Sequence, residues 1–297
     1  MSFPSKKQFR IAFPDIPTPV VDVWSILTEF LSSVQALPPK FMLSQITGHP
    51  QHLKSEQDFE IPPHKIGELI LARGLNGFRV NTGHSSQSVD YSLTHAKGHG
   101  QQSILTCRIE SRSTAPDNWS KLIEQIGEKF QIIGAWQFFV LYHSWQGASR
   151  IDTGYKRRWG AIPPNYRTWH EPSVDGIGSG MSFIDVSLNP GRPKELLPTI
   201  NFYPTAEMWL GPHFWPYAKC TKEEALAAGF WLETRDTPHY TYFKCWPTPF
   251  TRPDGEQGRM QQRLWKLFFH EDCEWPPGSG TICDEPMYGP PELMPVA

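Results

Sequence analysis

Apolar residues recur along this chain at more than one spacing, and each spacing predicts a different element. Over residues 19–37, Val20, Val23, Trp24, Leu27, Phe30, Leu31 and Val34 return every three or four positions, which is one buried helix face. Pro38-Pro39 ends that helix, because proline lacks the N–H and clashes with the preceding turn. A second helix enters at Pro62-Pro63, carries Ile66, Leu69, Ile70 and Leu71, and stops near Gly74. A third is signalled by Thr114 as cap and Pro116 in the first turn, with Trp119, Leu122, Ile123, Ile126 and Phe130 as its buried stripe. A fourth, capped within residues 254–257, bears Met260, Leu264, Leu267 and Phe268.

Alternation replaces the helical spacing elsewhere. Residues 87–95 alternate around Val89, Tyr91 and Leu93, and residues 103–110 around Ile104 or Leu105, Cys107 and Ile109. The glycines at Gly98 and Gly100 join these two strands as a hairpin. Short strands are expected at 9–13, 41–46, 182–188 and 240–246. Residues 135–143 are apolar nearly throughout, the pattern of a central strand buried on both faces. Residues 49–60 and 190–198 read as loops, and 147–181 as a long Gly/Pro-rich aromatic connection of the kind that is functional or inserted. Helices and strands without a steady βαβ rhythm predict an α+β fold: a mixed, largely antiparallel sheet with packed helices and many proline-fixed loops. At 297 residues this is a single large domain, or two intimate α+β halves of about 1–145 and 182–297 joined by the 147–181 loop.

The chain is organised around residues 201–236, where Phe202, Tyr203, Trp209, Phe214, Trp215, Tyr217, Phe230 and Trp231 crowd between Pro204, Pro212 and Pro216. Rigid rings on a proline-stiffened backbone bury much surface at small entropic cost, which suits a core knot or a contact surface. Trp209 and Trp215 are expected to be largely buried. Thr221 and Glu224 have the spacing of a capping box, Ala225 to Ala228 favour helix, and Gly229 suits the left-handed residue after it. The stretch therefore reads as loop, short helix, strand.

Composition narrows the chemistry. A net charge of −2 gives no basic excess of the kind a general nucleic-acid binder carries, so direct nucleic-acid binding is not expected. No apolar run approaches a membrane span and no signal-peptide pattern opens the chain, which predicts a soluble cytoplasmic protein. The five cysteines fit neither a disulfide framework nor a zinc pattern. The pairs His49/His52 and His95/His99 lack the glutamate of a zincin motif, so no metal and no cofactor is expected. Cys107 or Cys220 beside a histidine would make a nucleophilic pair of very low specificity. No nucleophile elbow, Walker A or dinucleotide motif is present, so no catalytic residue is assigned.

Contact material is more abundant. Trp159, Tyr166 and Trp169 stand in a run that mixes cations and rings, residues 155–171. After Lys266 the chain is free of Lys and Arg and holds Glu271, Asp272, Glu274, Asp284 and Glu285 beside Trp275 and Tyr288. Acids beside prolines and rings can imitate a phosphate backbone and occupy a basic cleft. Equally, such a terminus can be solvated.

Residues 204–231, PTAEMWLGPHFWPYAKCTKEEALAAGFW, resemble the aromatic segment of immunity proteins from bacterial polymorphic-toxin systems, in particular the TsiT-type immunity proteins of type VI secretion. The resemblance implies a cytoplasmic, non-catalytic protein that neutralises a cognate nuclease toxin of restriction-endonuclease-like type by protein–protein contact. The acidic and aromatic residues just named are the toxin-contact candidates, and a homo-oligomer stays open. The rival class is a hydrolase or glycan-processing enzyme, suggested by tryptophan content and the pairs Glu223/Glu224 and Asp284/Glu285. Adjacent carboxylates diverge, however, and do not face each other across a sugar. A structural scaffold or assembly subunit is a third class.

Overall fold

The structure is a computed structural model. It describes residues 7–14, 19–47, 59–73, 77–82, 89–97, 103–111, 119–147, 168–170, 182–184, 186, 189–197 and 200–272. In chain order the strands are β1 (Lys7–Ala12), β2 (Phe41–Thr47), β3 (Phe59–Ile61), β4 (Gly77–Asn81), β5 (Val89–Lys97), β6 (Ser103–Ser111) and β7 (Gly134–Phe139). They continue with β8 (Thr168–His170), β9 (Ser182–Ile184), β10 (Lys194–Leu197), β11 (Ile200–Phe202), β12 (Glu207–Leu210), β13 (Glu233–Asp236) and β14 (Thr241–Lys244). The helices are α1 (Val20–Ser33), α2 (Pro63–Arg73), α3 (Trp119–Gly127), α4 (Val140–Gln146), α5 (Lys222–Leu226) and α6 (Gly255–Phe269).

Ten strands form one sheet in the order β13-β14-β12-β7-β1-β6-β5-β4-β2-β3, and every ladder in it is antiparallel. The fold is α+β, and the expected β5–β6 hairpin is its longest ladder, pairing Val89 with Ser111 through to Lys97 with Ser103. The sheet runs through both halves of the chain, because β12 pairs with β7 and β7 with β1.

Side-chain alternation decides which face is covered where. In β1, β4, β5 and β6, Phe9, Ile11, Phe78, Val80, Tyr91, Leu93 and Ile109 share a core with α1, α2 and α3. Phe9 stacks on Trp119 of α3 with ring centroids 4.3 Å apart, and Trp24 of α1 meets Phe41 and Phe78 edge-on. The intervening positions are polar. Arg10 stands opposite Arg108, Arg108 opposite Ser92, Ser92 opposite Arg79, and Arg79 opposite Gln45. Arg10, Arg79 and Ser92 are half-buried and engaged within the chain; Arg10 donates to the Tyr203 hydroxyl and lies over its ring.

Across β7, β12 and β14 both faces are apolar. Ala135, Trp209 and Tyr242 belong to the core beneath α1–α3. Trp136, Phe138, Met208, Leu210 and Phe243 belong to a second core with Tyr142 of α4, Ala225 of α5 and Leu264, Trp265 and Phe268 of α6.

Several expectations are corrected. The apolar run at 135–143 is a strand only to Phe139; α4 begins at Val140, where Tyr142 and His143 turn into the second core. A run buried on every side carries no period by which strand and helix can be told apart. The first part of the aromatic stretch, read as loop, contains β12, and the 190–198 loop contains β10. The short β4 lies where no element was predicted. Of the strand expected at 182–188, Ser182–Ile184 is described as strand and residue 186 is not; residues 185, 187 and 188 lie outside the described residues. Trp209 is buried and its indole N–H donates to Ser120 Oγ at 2.9 Å, but Trp215 is half-exposed in a short 3₁₀ turn. The capping box forms as expected, with Glu224 N–H on Thr221 Oγ1 at 3.1 Å and Thr221 N–H on Glu224 Oε2 at 2.7 Å. Gly229 takes φ +72°. Asp254 precedes α6 without capping it through its side chain, since its carboxylate pairs with Arg252.

Trp209→Ala removes a ring that touches Phe9 and Tyr242 and strands the Ser120 hydroxyl. The expected loss is about 3–5 kcal/mol, read from the urea midpoint; an unchanged midpoint would contradict the placement of this ring in the core.

Candidate functional site

The best-defined side-chain arrangement lies where α4, the turn before β10 and α6 meet. Tyr142 donates to Gln261 Oε1 at 2.9 Å, and Gln261 Nε2 donates to the carbonyls of Arg252 and Gln257. Gln146 is fully buried; its Oε1 accepts from Gly191 N–H and its carbonyl from Asn189 Nδ2. Trp265 Nε1 donates to the Pro190 carbonyl at 2.8 Å. These bonds pin three segments together inside the second core. Pairing offsets the cost of burying these polar groups; among the described residues Gln146 Nε2 alone of this network has no hydrogen-bond partner. The backbone at Gly191 passes so close that a Cβ would lie 2.7 Å from Gln146 Cγ and 2.8 Å from the Tyr142 hydroxyl.

His143 completes this region. It is buried against the rings of Phe138, Tyr142 and Tyr203, and among the described residues its Nδ1 has no hydrogen-bond partner. Burial lowers its pKa to about 3, with hydrogen bonding to the Gly191 backbone acting in the opposite direction. His143 is therefore neutral at physiological pH and fills space. The two described thiols are shifted the other way. Burial, assisted by the Glu224 carboxylate, raises Cys220 to about 11, and burial raises Cys245 further. A thiol held above its ordinary pKa is a poor nucleophile, so Cys220 behaves as a packed side chain.

The outer side of the aromatic stretch is open. The backbone N–H of Lys219 donates to the carbonyl of Phe268 at 2.7 Å, which ties the 211–219 segment to the end of α6. Trp231 Nε1 donates to the Ala225 carbonyl, and the Trp231 ring contacts Phe230 and Phe243. Between α5 and α6 these anchors leave an open groove of about 670 Å³. Its rim carries Lys219, Arg263 and Lys266, all exposed, and its floor Cys220, Phe230 and Leu267. Lys266 lies 3.8 Å from Asp272; Lys219 and Arg263 form no ion pair among the described residues.

The contact residues predicted from sequence are only partly placed. Glu271 sits between two cations, accepting from Arg192 at 3.3 Å and from Lys194, and Arg192 in turn lies 3.8 Å over the Trp265 ring. Its charge is spent within the chain. Asp272 is exposed beside Lys266. Trp169 is in β8 at the position opposite Phe183 of β9. Trp159, Tyr166, Glu274, Trp275, Asp284, Glu285 and Tyr288 lie outside the described residues. So do His49, His52 and His99, while His95 is in β5 opposite Leu105 and Cys107 in β6 opposite Leu93. Among the described residues no three His, Cys, Asp or Glu side chains are grouped to hold a metal ion. No described helix is long and apolar enough to cross a membrane. Sequence reading missed the cationic rim, whose members come from elements that only the fold brings together.

No family model matches the chain, and no curated protein matches it in sequence. Among solved structures it is similar to the Pseudomonas aeruginosa type VI secretion system protein PA0821, at 10% identity and a TM-score of 0.47, covering 88% of this chain and 73% of that one. A likeness of that size sets neither fold nor role.

Two stability effects are expected. Gly191→Ala should cost about 1–3 kcal/mol through overpacking; a wild-type urea midpoint would contradict the close approach. For His143 the folded pKa lies below the unfolded one, so the unfolded chain binds the extra proton. Stability is fully present above about pH 6.5 and is lost as pH falls towards about 3. By pH 5 the loss from this group is about 2 kcal/mol. Comparison of wild type with His143→Gln between pH 7 and 5 should show a flatter profile for the variant; parallel profiles would contradict it.

Proposed function

We propose that the chain is an immunity protein that binds and neutralises a cognate nuclease toxin of a type VI secretion system by protein–protein contact, without turning over a substrate. The observation that carries this reading is the behaviour of residues 204–231, the segment that resembles such proteins. Its inner side is rooted in both cores through Trp209, Phe214 and Ala225. Its outer side presents Pro212, Pro216, Lys219, Glu223 and Glu224 to solvent. A rigid base under an exposed surface loses little entropy when a partner docks, which is how preorganised inhibitors gain affinity. Neutral His143 and the protonated thiols of Cys220 and Cys245 serve packing.

The acidic residues beyond Asp272 remain part of the proposal as steering charges, since a nuclease must offer cations to phosphate. Glu271 is left out of that set because Arg192 and Lys194 already hold it. Co-expression with the product of a neighbouring toxin gene, followed by size-exclusion chromatography and a nuclease assay, is the test. A stable complex with the toxin's nuclease activity suppressed is expected. A toxin that stays separate and active in the presence of this protein would contradict the reading.

A further inference from the structure

We infer that the groove between α5 and α6 is a docking site for an acidic protein segment that bears an aromatic or aliphatic side chain. Three features converge there. Lys219 comes from the segment before α5, Arg263 and Lys266 come from the last turns of α6, and all three are exposed on one rim. Arg263 and Lys266 alone could be explained by the partial negative charge at the C-terminal end of a helix. Lys219 cannot, because it belongs to another element and is held against α6 by its own backbone bond to Phe268. The floor is apolar, with half-buried Phe230 and Leu267 over the buried Cys220. One carboxylate also lines the groove, that of Glu224, but it is turned to the Thr221 N–H in the capping box. Asp272 stands 3.8 Å from Lys266, so the three cations outnumber the two nearby carboxylates around a floor that can receive a ring or a branched aliphatic.

A protein segment fits better than a nucleic acid. Three cations in one groove do not track a phosphate backbone, whereas an anchor side chain flanked by acids matches floor and rim together. The partner's identity rests on the immunity reading; the groove's chemistry does not. With that reading, the toxin is gripped on an acidic surface, and a nuclease's phosphate-holding surface is basic. The groove would then hold the toxin by a surface other than the one that holds phosphate.

Fluorescence anisotropy on the full-length protein tests this with three labelled probes: a short peptide alternating glutamate and phenylalanine, the same peptide with lysine for glutamate, and a mixed-sequence single-stranded oligonucleotide. The acidic peptide is expected to bind and to weaken with added salt. Lys219→Glu/Arg263→Glu should weaken it at least about tenfold, while Arg263→Lys stays near wild type. Both sites are exposed, and an unchanged urea midpoint confirms that the variant is folded. Equal binding of the lysine peptide, tighter binding of the oligonucleotide, no binding of the acidic peptide, or an affinity unchanged by charge reversal would each overturn the inference. Titration of the neighbouring toxin separates the two readings. A toxin that binds wild type and the double variant alike removes the groove as its docking site and leaves immunity standing. A toxin that binds neither, while the acidic peptide behaves as expected, removes immunity and leaves the groove standing.

Discussion

Strand β7 is the constraint on which the rest of the molecule depends. It is flanked by β1 on one side and β12 on the other, with Ala135 in one core and Trp136 and Phe138 in the other. Ala135 is small where Trp209 stands opposite it, and Trp136 is large where it faces Phe202 and Tyr203. Gly134 opens the strand at a place where a Cβ would meet the Trp136 ring at 2.7 Å. A strand so placed has no solvent face, and any change in its side-chain volumes is felt in both layers. It also explains the odd covering of the sheet. To one side of β7 the helices α1–α3 cover a single face and the other is polar; to the other side β12 and β14 are apolar on both faces, and the edge strand β13 is exposed.

The second layer hangs on polar bonds as much as on rings. Gln146, Gln261, Asn189 and Trp265 carry hydrogen bonds that fix α4, α6 and the Asn189–Gly191 turn to one another. They fix how α6 lies, and so where Arg263 and Lys266 stand relative to Lys219. The site is thus a product of packing far from it. The groove's rim has its geometry because the core behind it tolerates one arrangement of those helices.

How much of this was legible follows from periodicity. Helix α1 has one buried and one exposed side, and the β5–β6 hairpin alternates apolar with polar residues, so their spacing was plain, and the capping box at Thr221 and the turn at Gly229 are local chemistry. β12 was hidden because Met208, Trp209 and Leu210 are all buried, which removes alternation, and because nearby prolines look like loop. The β7–α4 junction was hidden for the same reason. At the site, the segment 204–231 stood out by its composition. The cationic rim did not, since Lys219 and Arg263 meet only after folding. Glu271 looked like free charge in sequence, and the Arg192 and Lys194 that hold it are distant along the chain.

Native-state hydrogen exchange under increasing denaturant tests the central claim most directly, namely that β7 joins two layers into one cooperative unit. The amides of β1, β7 and β12 should exchange with one shared free energy, the highest in the molecule, and α1 and α6 should merge with them as denaturant rises. Exchange of β12, β14 and α6 at a distinctly lower free energy than β1, β5, β6 and α1 would show two units that open independently, and would contradict it.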